Sequence, residues 1–418
     1  MYLSLRSAPA TTTLPIGTAQ GPRPGRAVSG TVVLLGTVSM LTDISSESVA
    51  AVLPLYLTAV LGLSPLAYGV VDGVQQGASA LVRILGGWAA DRTDRPKWVA
   101  FAGYALSAVT RAALLPAQGL TVVTGVLTLD RLGKGLRTAP RDAVIVASSP
   151  PEHLGRAFGV HRAMDTAGAV VGPLLAFGLL AAVPRGYHVV FVVSLAFALT
   201  GLAVLGLLVP DVRARPPAAP PAGTRTVRRA LAADGTRRLL VVAGLLGLLT
   251  VGDGFLYLLL QRRDGLAAEL FPLLYVGTNT AYLLLAVPLG RTADRVGRAR
   301  VLVLGHVALA GAYLCASGLV SGLPAVLGCL ALLGVFYAAT DGVLAALAGR
   351  LVPPELRATG IATAQTVVAG ARTLSSLLFG VAWTVLGREH AVLAVAALLA
   401  VAVPVALLVL RPLDRAPA

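Results

Sequence analysis

The chain is poor in charge: Asp, Glu, Lys and Arg together make up only 13% of its 418 residues. Hydrophobic residues account for 56%, and the mean hydropathy is +0.81. A soluble chain of this length would have to hide more apolar surface than its own volume allows, whereas lipid accepts it. Acidic residues are scarcer than basic ones, 19 against 34, which leaves a formal net charge of +15. In a soluble protein that excess would suggest nucleic acid. Here the arginines cluster in short connections between long apolar runs, so no nucleic-acid partner is expected and the anionic headgroups of a bilayer are.

Cysteine is almost lacking. Cys315 and Cys329 both sit inside apolar runs without ligand-like neighbours, which argues against a disulfide or a metal site. No HExxH pair occurs, and Gly133-Lys134-Gly135 lacks the preceding glycine spacing of a phosphate loop. The chain therefore reads as neither an enzyme nor an ATP-driven pump, with no cofactor, and an ion gradient is the default energy source. Residues 1–27 hold Arg6, Arg23 and Arg26 among Thr, Pro and Gly, with no apolar core of signal-peptide length. They are read as part of a disordered cytoplasmic tail over residues 1–28.

What is present is a succession of apolar runs. Windows of about 20 apolar residues predict twelve spans. They fall near 30–60, 67–90, 98–117, 121–146, 156–182, 187–209, 239–260, 270–290, 301–320, 323–348, 358–385 and 390–410. Segment 211–238 interrupts the series with Pro216, Pro217, Pro220 and Pro221 and seven arginines. The expected fold is all-α and integral to the membrane, with twelve transmembrane helices in two six-helix bundles. Residues 29–210 form the N-terminal bundle, 211–238 a basic cytoplasmic linker, 239–411 the C-terminal bundle and 412–418 a short tail. Arginines crowd the 91–97, 291–300 and 350–357 connections, the linker and both ends. The opposite side holds only Arg185, Arg262, Arg263 and Arg388, the last three beside acids. Both termini are therefore expected in the cytoplasm, with the protein a multi-pass monomer of the inner (plasma) membrane.

The chain also repeats itself. Gly87-Trp-Ala-Ala-Asp91-Arg92-Thr-Asp-Arg95-Pro-Lys97 returns as Gly290-Arg-Thr-Ala-Asp294-Arg295-Val-Gly297-Arg298-Ala-Arg300, an offset of 203 residues (290 − 87). Pro150-Pro151-Glu152 is echoed by Pro353-Pro354-Glu355, each between the fourth and fifth spans of its half. A duplication of this kind predicts two halves related by an axis along the membrane normal, with a site near the midplane between them.

These residues resemble the major facilitator superfamily over nearly all of the chain past residue 28. The connection after span 2 is similar to the family's Gly-x-x-x-Asp-Arg-x-Gly-x-Arg-Lys pattern, with Asp94 in place of its second Gly, and the copy after span 8 keeps that Gly as Gly297. Arg131-x-x-x-Gly135 with Pro140 resembles the fourth-helix motif. Gly168-x-x-x-Gly172-Pro173 resembles the helix-packing element of antiporters, although Ala176-Phe177 replaces its usual trailing glycines. The resemblance implies that Gly87, Asp91, Arg92, Gly290, Asp294 and Arg295 latch the halves in one conformation. Arg141 and Arg357 are the candidate partners of Asp91, with simple helix capping as the other reading.

Ionisable side chains in lipid are expensive and mark function or fixed pairs. In span 4, Asp130, Lys134, Arg137 and Arg141 share one helical face, with Asp130 and Lys134 spaced as an i,i+4 pair and Arg131 a quarter-turn away. Span 2 carries Asp72, Gln76, Ser79 and Arg83 at the same spacing, span 1 carries Asp43 and Glu47, and span 5 carries His161, Arg162 and Asp165. Burial favours a neutral carboxyl and a neighbouring cation favours a charged one, so Asp43, Glu47, His161 and Asp165 are the candidate proton-coupling groups. The substrate cavity is expected to take Asp72, Gln76, Arg131, Lys134, Arg137 and Arg162 from the N-terminal half. Asp253, Tyr257, Asn279, Asp341 and Gln365 are its expected residues from the drier C-terminal half, where Tyr337 and Asp341 pair by spacing. The expected activity is export of a small organic solute, a drug or metabolite of anionic or amphipathic character, by proton antiport. Proton-coupled uptake of an organic anion is the alternative, and a non-transporting receptor on the same scaffold a third reading.

Overall fold

The computed structural model describes residues 28–91, 95–150, 153–212, 230–353 and 356–415, without the side chains of 79–91, 358 and 415. Among the described residues the architecture is all-helical. The first half holds α1 (Gly30–Leu55, continued by a π-helical turn Tyr56–Val60), α2 (Pro65–Asp91) and α3 (Pro96–Leu114), then α4 (Leu120–Ala147), α5 (Leu154–Ala182) and α6 (Tyr187–Leu207). The second holds α7 (Asp234–Leu248), α8 (Asp253–Asp264), α9 (Phe271–Val296), α10 (Arg298–Ala316), α11 (Leu323–Arg350), α12 (Arg357–Leu386) and α13 (Arg388–Arg415). Nine helical stretches among the described residues are long and apolar enough to cross a membrane; α2, α3 and α4 are outside that set and carry much of the embedded charge. Two expected boundaries move. Helix α7 begins at Asp234, within the expected linker, and α13 runs on to Arg415, past the expected end at 411.

The seventh span departs further from the expected continuous helix over 239–260. It is two helices, α7 and α8, separated by a non-helical Leu249–Gly252. Thr250 and Val251 are β-branched, Gly252 is the poorest helix former after proline, and Asp253 favours a helix start. The local preferences agree on a break that hydropathy cannot see.

Within the first half α1 packs on α5 and α6, α3 on α4 and α6, and α2 on α4. Within the second, α10 packs on α11 and α13, α9 on α11, and α12 on α7, α11 and α13. The two groups meet along α2–α12 and where α9 touches α5 and α1. Lipid gives apolar helices no solvent to flee, so close backbone approach has to supply the attraction. At Gly168 a Cβ would lie 2.5 Å from the Met40 carbonyl oxygen, and at Gly172 2.9 Å from the Ser48 nitrogen, so α5 seats directly on the backbone of α1. Between the halves, Cβ atoms at Gly69 and Gly73 would meet the carbonyl oxygens of Ser376 and Thr373 at 2.5 and 2.9 Å. Pro173 follows within α5, one residue past the close contact.

The second basic connection is a single residue rather than a loop. Gly290, Asp294 and Arg295 belong to the last turns of α9, and the chain reverses at Gly297, whose φ of +121° suits glycine. Asp294 pairs with Arg298 at 2.7 Å. Asp414 accepts from the backbone N–H groups of Ala299 (2.9 Å) and Arg300 (3.0 Å), capping α10 from the C-terminal end of the chain. In the first copy, Gly87 and Asp91 fall in the last turns of α2, while Arg92 and the Asp91 side chain lie outside the described residues.

Substituting Gly172→Leu should force α1 and α5 apart. The expected loss is about 1–3 kcal/mol of stability, the usual cost of overpacking, read as a lower unfolding temperature of detergent-solubilised protein. A substitution without thermal effect would show that the α1–α5 seam does not hold the half together.

Candidate functional site: a midplane cavity beside a carboxylate–cation file

Non-helical backbone at membrane depth persists only where its polar groups find partners inside the protein. The Tyr313 hydroxyl of α10 accepts from the Val251 N–H (2.8 Å) and donates to the Leu249 carbonyl (2.9 Å). Ser375 of α12 donates to the Thr250 carbonyl at 2.9 Å. Held this way, the break faces the other half, where a Cβ on Gly252 would lie 2.7 Å from an Asp72 carboxyl oxygen. Asp253 opens α8, where the helix dipole favours negative charge, and it accepts a 2.7 Å hydrogen bond from the Tyr337 hydroxyl.

Two cavities adjoin at the break. One, of about 200 Å³, is polar, walled by Glu47, Asp72, Gln75, Gln76 and Arg131 of the first half and by Asp253, Tyr275, Tyr337, Arg372 and Ser376 of the second. The other, of about 410 Å³, lies mainly among α7, α10, α11 and α12, with Asp341, Gln365, His306 and Arg372 set in apolar walls and Gln76 reaching in from α2. Gln76, Thr250 and Arg372 line both. Across the halves, Ser376 donates to Asp72 at 2.5 Å. Apart from Arg372 at the middle of the helix, the α12 residues of the larger cavity lie in the half nearest the 350–357 connection. Towards the opposite ends the halves meet: Gly380 sits against Pro65 and Leu66, and Gly254 against Tyr68 and Pro54.

Behind the polar cavity runs a file of charges on α1, α4 and α5. Lys134 lies 3.4 Å from Glu47 and 3.8 Å from Asp43, and Arg137 lies 4.0 Å from Asp43. Asp165 adjoins Asp43 within hydrogen-bonding reach and lies 3.8 Å from Arg141. Arg141 donates to Ser39 at 3.2 Å, and Ser39 shares a 2.9 Å hydrogen bond with Nε2 of His161. The file thus reads Glu47, Lys134, Asp43, Asp165, Arg141, Ser39, His161, with Glu47 at the cavity end. Arg137 is also buried against Tyr104, its guanidinium 4.5 Å from the ring centre.

The sequence reading places some residues differently. Asp72, Gln76, Arg131, Asp253, Asp341 and Gln365 do line the cavities. Tyr257 does not: it is 0% exposed, its hydroxyl donating to Thr278 at 2.7 Å, because α8 turns that face into the core of the second half. Asn279 and Arg162 line neither cavity; Arg162 is 73% exposed, with Asp165 at 3.4 Å. Asp130 pairs not with Lys134 but with Arg111 of α3 at 2.9 Å, since Lys134 is drawn to the α1 acids. Tyr337 bonds Asp253 rather than Asp341, because the break in the seventh span brings Asp253 within reach. Ser39 and Arg372 are readable from the sequence as polar groups beside Asp43 and Gln365, whereas Arg111, Tyr313 and Ser376 are not among the expected residues. A lone arginine in the middle of an apolar run is a signal for Arg111; Tyr313 has none.

Comparison with known proteins agrees with this architecture. The sequence profile of the Major Facilitator Superfamily matches residues 35–278 and 265–418. An uncharacterized MFS-type transporter of Methanocaldococcus jannaschii is 29% identical over 372 residues, 86% of this chain and 90% of the relative. An uncharacterized protein of Mycobacterium tuberculosis is 30% identical over 339 residues, covering 79% of this chain and 76% of its own. Among solved structures, that of the nucleoside transporter NupG superposes with a TM-score of 0.76 at 14% identity, covering 91% of this chain and 99% of the other. A bacterial homologue of the human lysosomal transporter Spinster, described as inward-facing and unoccupied, gives 0.73 at 16% identity over 93% of this chain and 98% of that one. The chain belongs to the Major Facilitator Superfamily. It is a multi-pass secondary transporter of a small molecule and not an enzyme.

Tyr313→Phe keeps the ring and removes the hydroxyl that serves both Leu249 and Val251. Leaving those buried backbone groups unpaired should cost about 1–3 kcal/mol, seen as a lower unfolding temperature and faster hydrogen exchange over 246–256. Unchanged exchange there would mean that the break does not depend on Tyr313.

Proposed function

We propose that the protein exports a small organic solute in exchange for protons, with Asp43, Glu47, Asp165 and His161 as the proton-handling groups. The carrying observation is the file itself: Glu47 belongs to the cavity wall, and Lys134, 36% exposed, stands between it and Asp43. Two carboxylates competing for one ammonium make its position depend on protonation. A proton on Glu47 weakens its hold and lets Lys134 shift to Asp43, and a proton on Asp43 does the reverse. Because these groups bridge α1, α4 and α5, the charge state biases how those helices pack, which is how a proton would be traded against the solute.

Export is supported by the Gly168, Gly172 and Pro173 element, which resembles that of antiporters. It is also supported by a 121-residue similarity, 31% identical and spanning 29% of the chain, to the multidrug resistance protein MdtH of Edwardsiella ictaluri. The arginine distribution supports an inner-membrane location with both ends, the 1–28 tail and the 211–238 linker in the cytoplasm. With that orientation the larger cavity faces the cytoplasm, the side from which an exporter loads. The latch reading adds Asp91 against Arg141 or Arg357, with Asp294 and Arg295 as its second-half counterparts.

In proteoliposomes with an imposed pH gradient, solute should move against the direction of proton flow; movement with the protons would replace export by uptake. Asp43→Asn combined with Glu47→Gln should lower pH-driven flux at least tenfold while solute exchange without a gradient continues. Full pH-driven flux in the double variant would remove these residues from the coupling.

A further inference from the structure

We propose that Arg372 anchors the acidic group of the substrate, and that the solute is an organic anion with an apolar, ring-sized body. The inference deepens the transport reading of the central cavity and rests on it. Arg372 lines both cavities, so a group bound to it sits at their junction. Its guanidinium lies over the rings of Phe336 (5.9 Å) and Tyr337 (5.8 Å), and its Nε is buried with no hydrogen-bond partner among the described residues.

Its neighbours are otherwise satisfied. The embedded cations Arg111, Lys134 and Arg141 each have a carboxylate within 4 Å, at 2.9, 3.4 and 3.0 Å, and Arg131 has the Gln75 side-chain oxygen at 3.2 Å. On the acidic side, Asp72 receives the Ser376 hydroxyl, Asp253 the Tyr337 hydroxyl and Glu47 the Lys134 ammonium. No ion pair joins Arg372 to a carboxylate among the described residues, although it lines both cavities. A carboxylate or phosphate at the junction would meet the cavity-facing part of the guanidinium with charge-assisted hydrogen bonds.

The larger cavity indicates the rest of the molecule. Its walls beside Arg372 include Leu246, Leu302, Phe336, Leu344 and Val368, in a volume of about 410 Å³ that suits a ring with a short side chain. Asp253 and Asp341 feel the charge of Arg372 without pairing with it directly. A bound anion competes with that longer-range attraction and displaces no ion pair. A primary amine would bring like charge to Arg131 and Arg372 in the polar cavity, whereas an anion is attracted to both.

The test uses the full-length protein in lipid nanodiscs and three probes of one skeleton: phenylacetate, phenylacetamide and phenethylamine. Calorimetric titration should show phenylacetate binding at least tenfold more tightly than the amide or the amine. Arg372→Gln should abolish that preference, and Arg372→Lys should keep part of it. The wild-type comparison stands even if a variant does not fold. Equal or tighter binding of the amide or amine, no binding of phenylacetate, or an unchanged preference in a folded Arg372→Gln overturns the proposal. The proton reading fails separately: phenylacetate binding through Arg372 without pH-driven flux would sink the coupling and leave the substrate class. Proton-driven movement of phenethylamine would do the opposite.

Discussion

The structure depends on one demand of its solvent: in hydrocarbon, each backbone N–H and C=O has to be paired by the protein itself. Continuous helices meet that demand automatically, and most of the chain takes this route. The exception is the seventh span, opened at Leu249–Gly252 and held by the Tyr313 hydroxyl and Ser375. From that exception follow the placement of Asp253 at a helix start, the approach of Gly252 to Asp72 and the two cavities that share Thr250 in their walls. The centre of the molecule is polar where one helix is interrupted and where Tyr313 and Ser375 pair part of the opened backbone.

The halves share an architecture but not a composition. Ion pairs on α1, α3, α4 and α5 fill the first half, while the second offers hydrogen-bonding groups, aromatic rings and Arg372. Breaking a buried pair by removing one partner is costly, whereas shifting a charge between two waiting partners is much cheaper. Lys134 between Asp43 and Glu47 has such a pair of alternatives. Arg111 with Asp130 is buried, with a single close carboxylate, and reads as a fixed joint between α3 and α4.

Much of this was legible in the sequence, for identifiable reasons. The all-helical membrane fold follows from hydropathy, which acts over about 20 residues and survives small boundary errors, although the charge on α2, α3 and α4 leaves them outside the nine most apolar stretches. The clustering of Asp43, Glu47, Lys134, Arg137, His161 and Asp165 was readable because charge in an apolar run has few places to go. The pairings were not. Asp130 satisfies an i,i+4 rule with Lys134 yet binds Arg111, because a partner on a neighbouring helix is invisible to spacing. The break at Leu249–Gly252 lay below the resolution of a hydropathy window, so Tyr257 was assigned to the cavity although α8 turns it into the core. The expected end of the eighth span near residue 290 moves to Val296 for a related reason: one glycine with positive φ reverses the chain, and nothing else in the segment has to leave the helix.

The seam between α2 and α12 has a mechanical meaning. Where Gly69, Gly73 and Gly77 face Ser376 and Thr373, the two halves touch largely through backbone and small polar atoms, with Phe255 against Gly69 and Leu377 beside Gly73. Interdigitated leucines would have to be withdrawn from one another before the helices could turn. A glycine track presents fewer such teeth at these positions, so this part of the seam would oppose a relative turn of the helices less than a leucine zipper would.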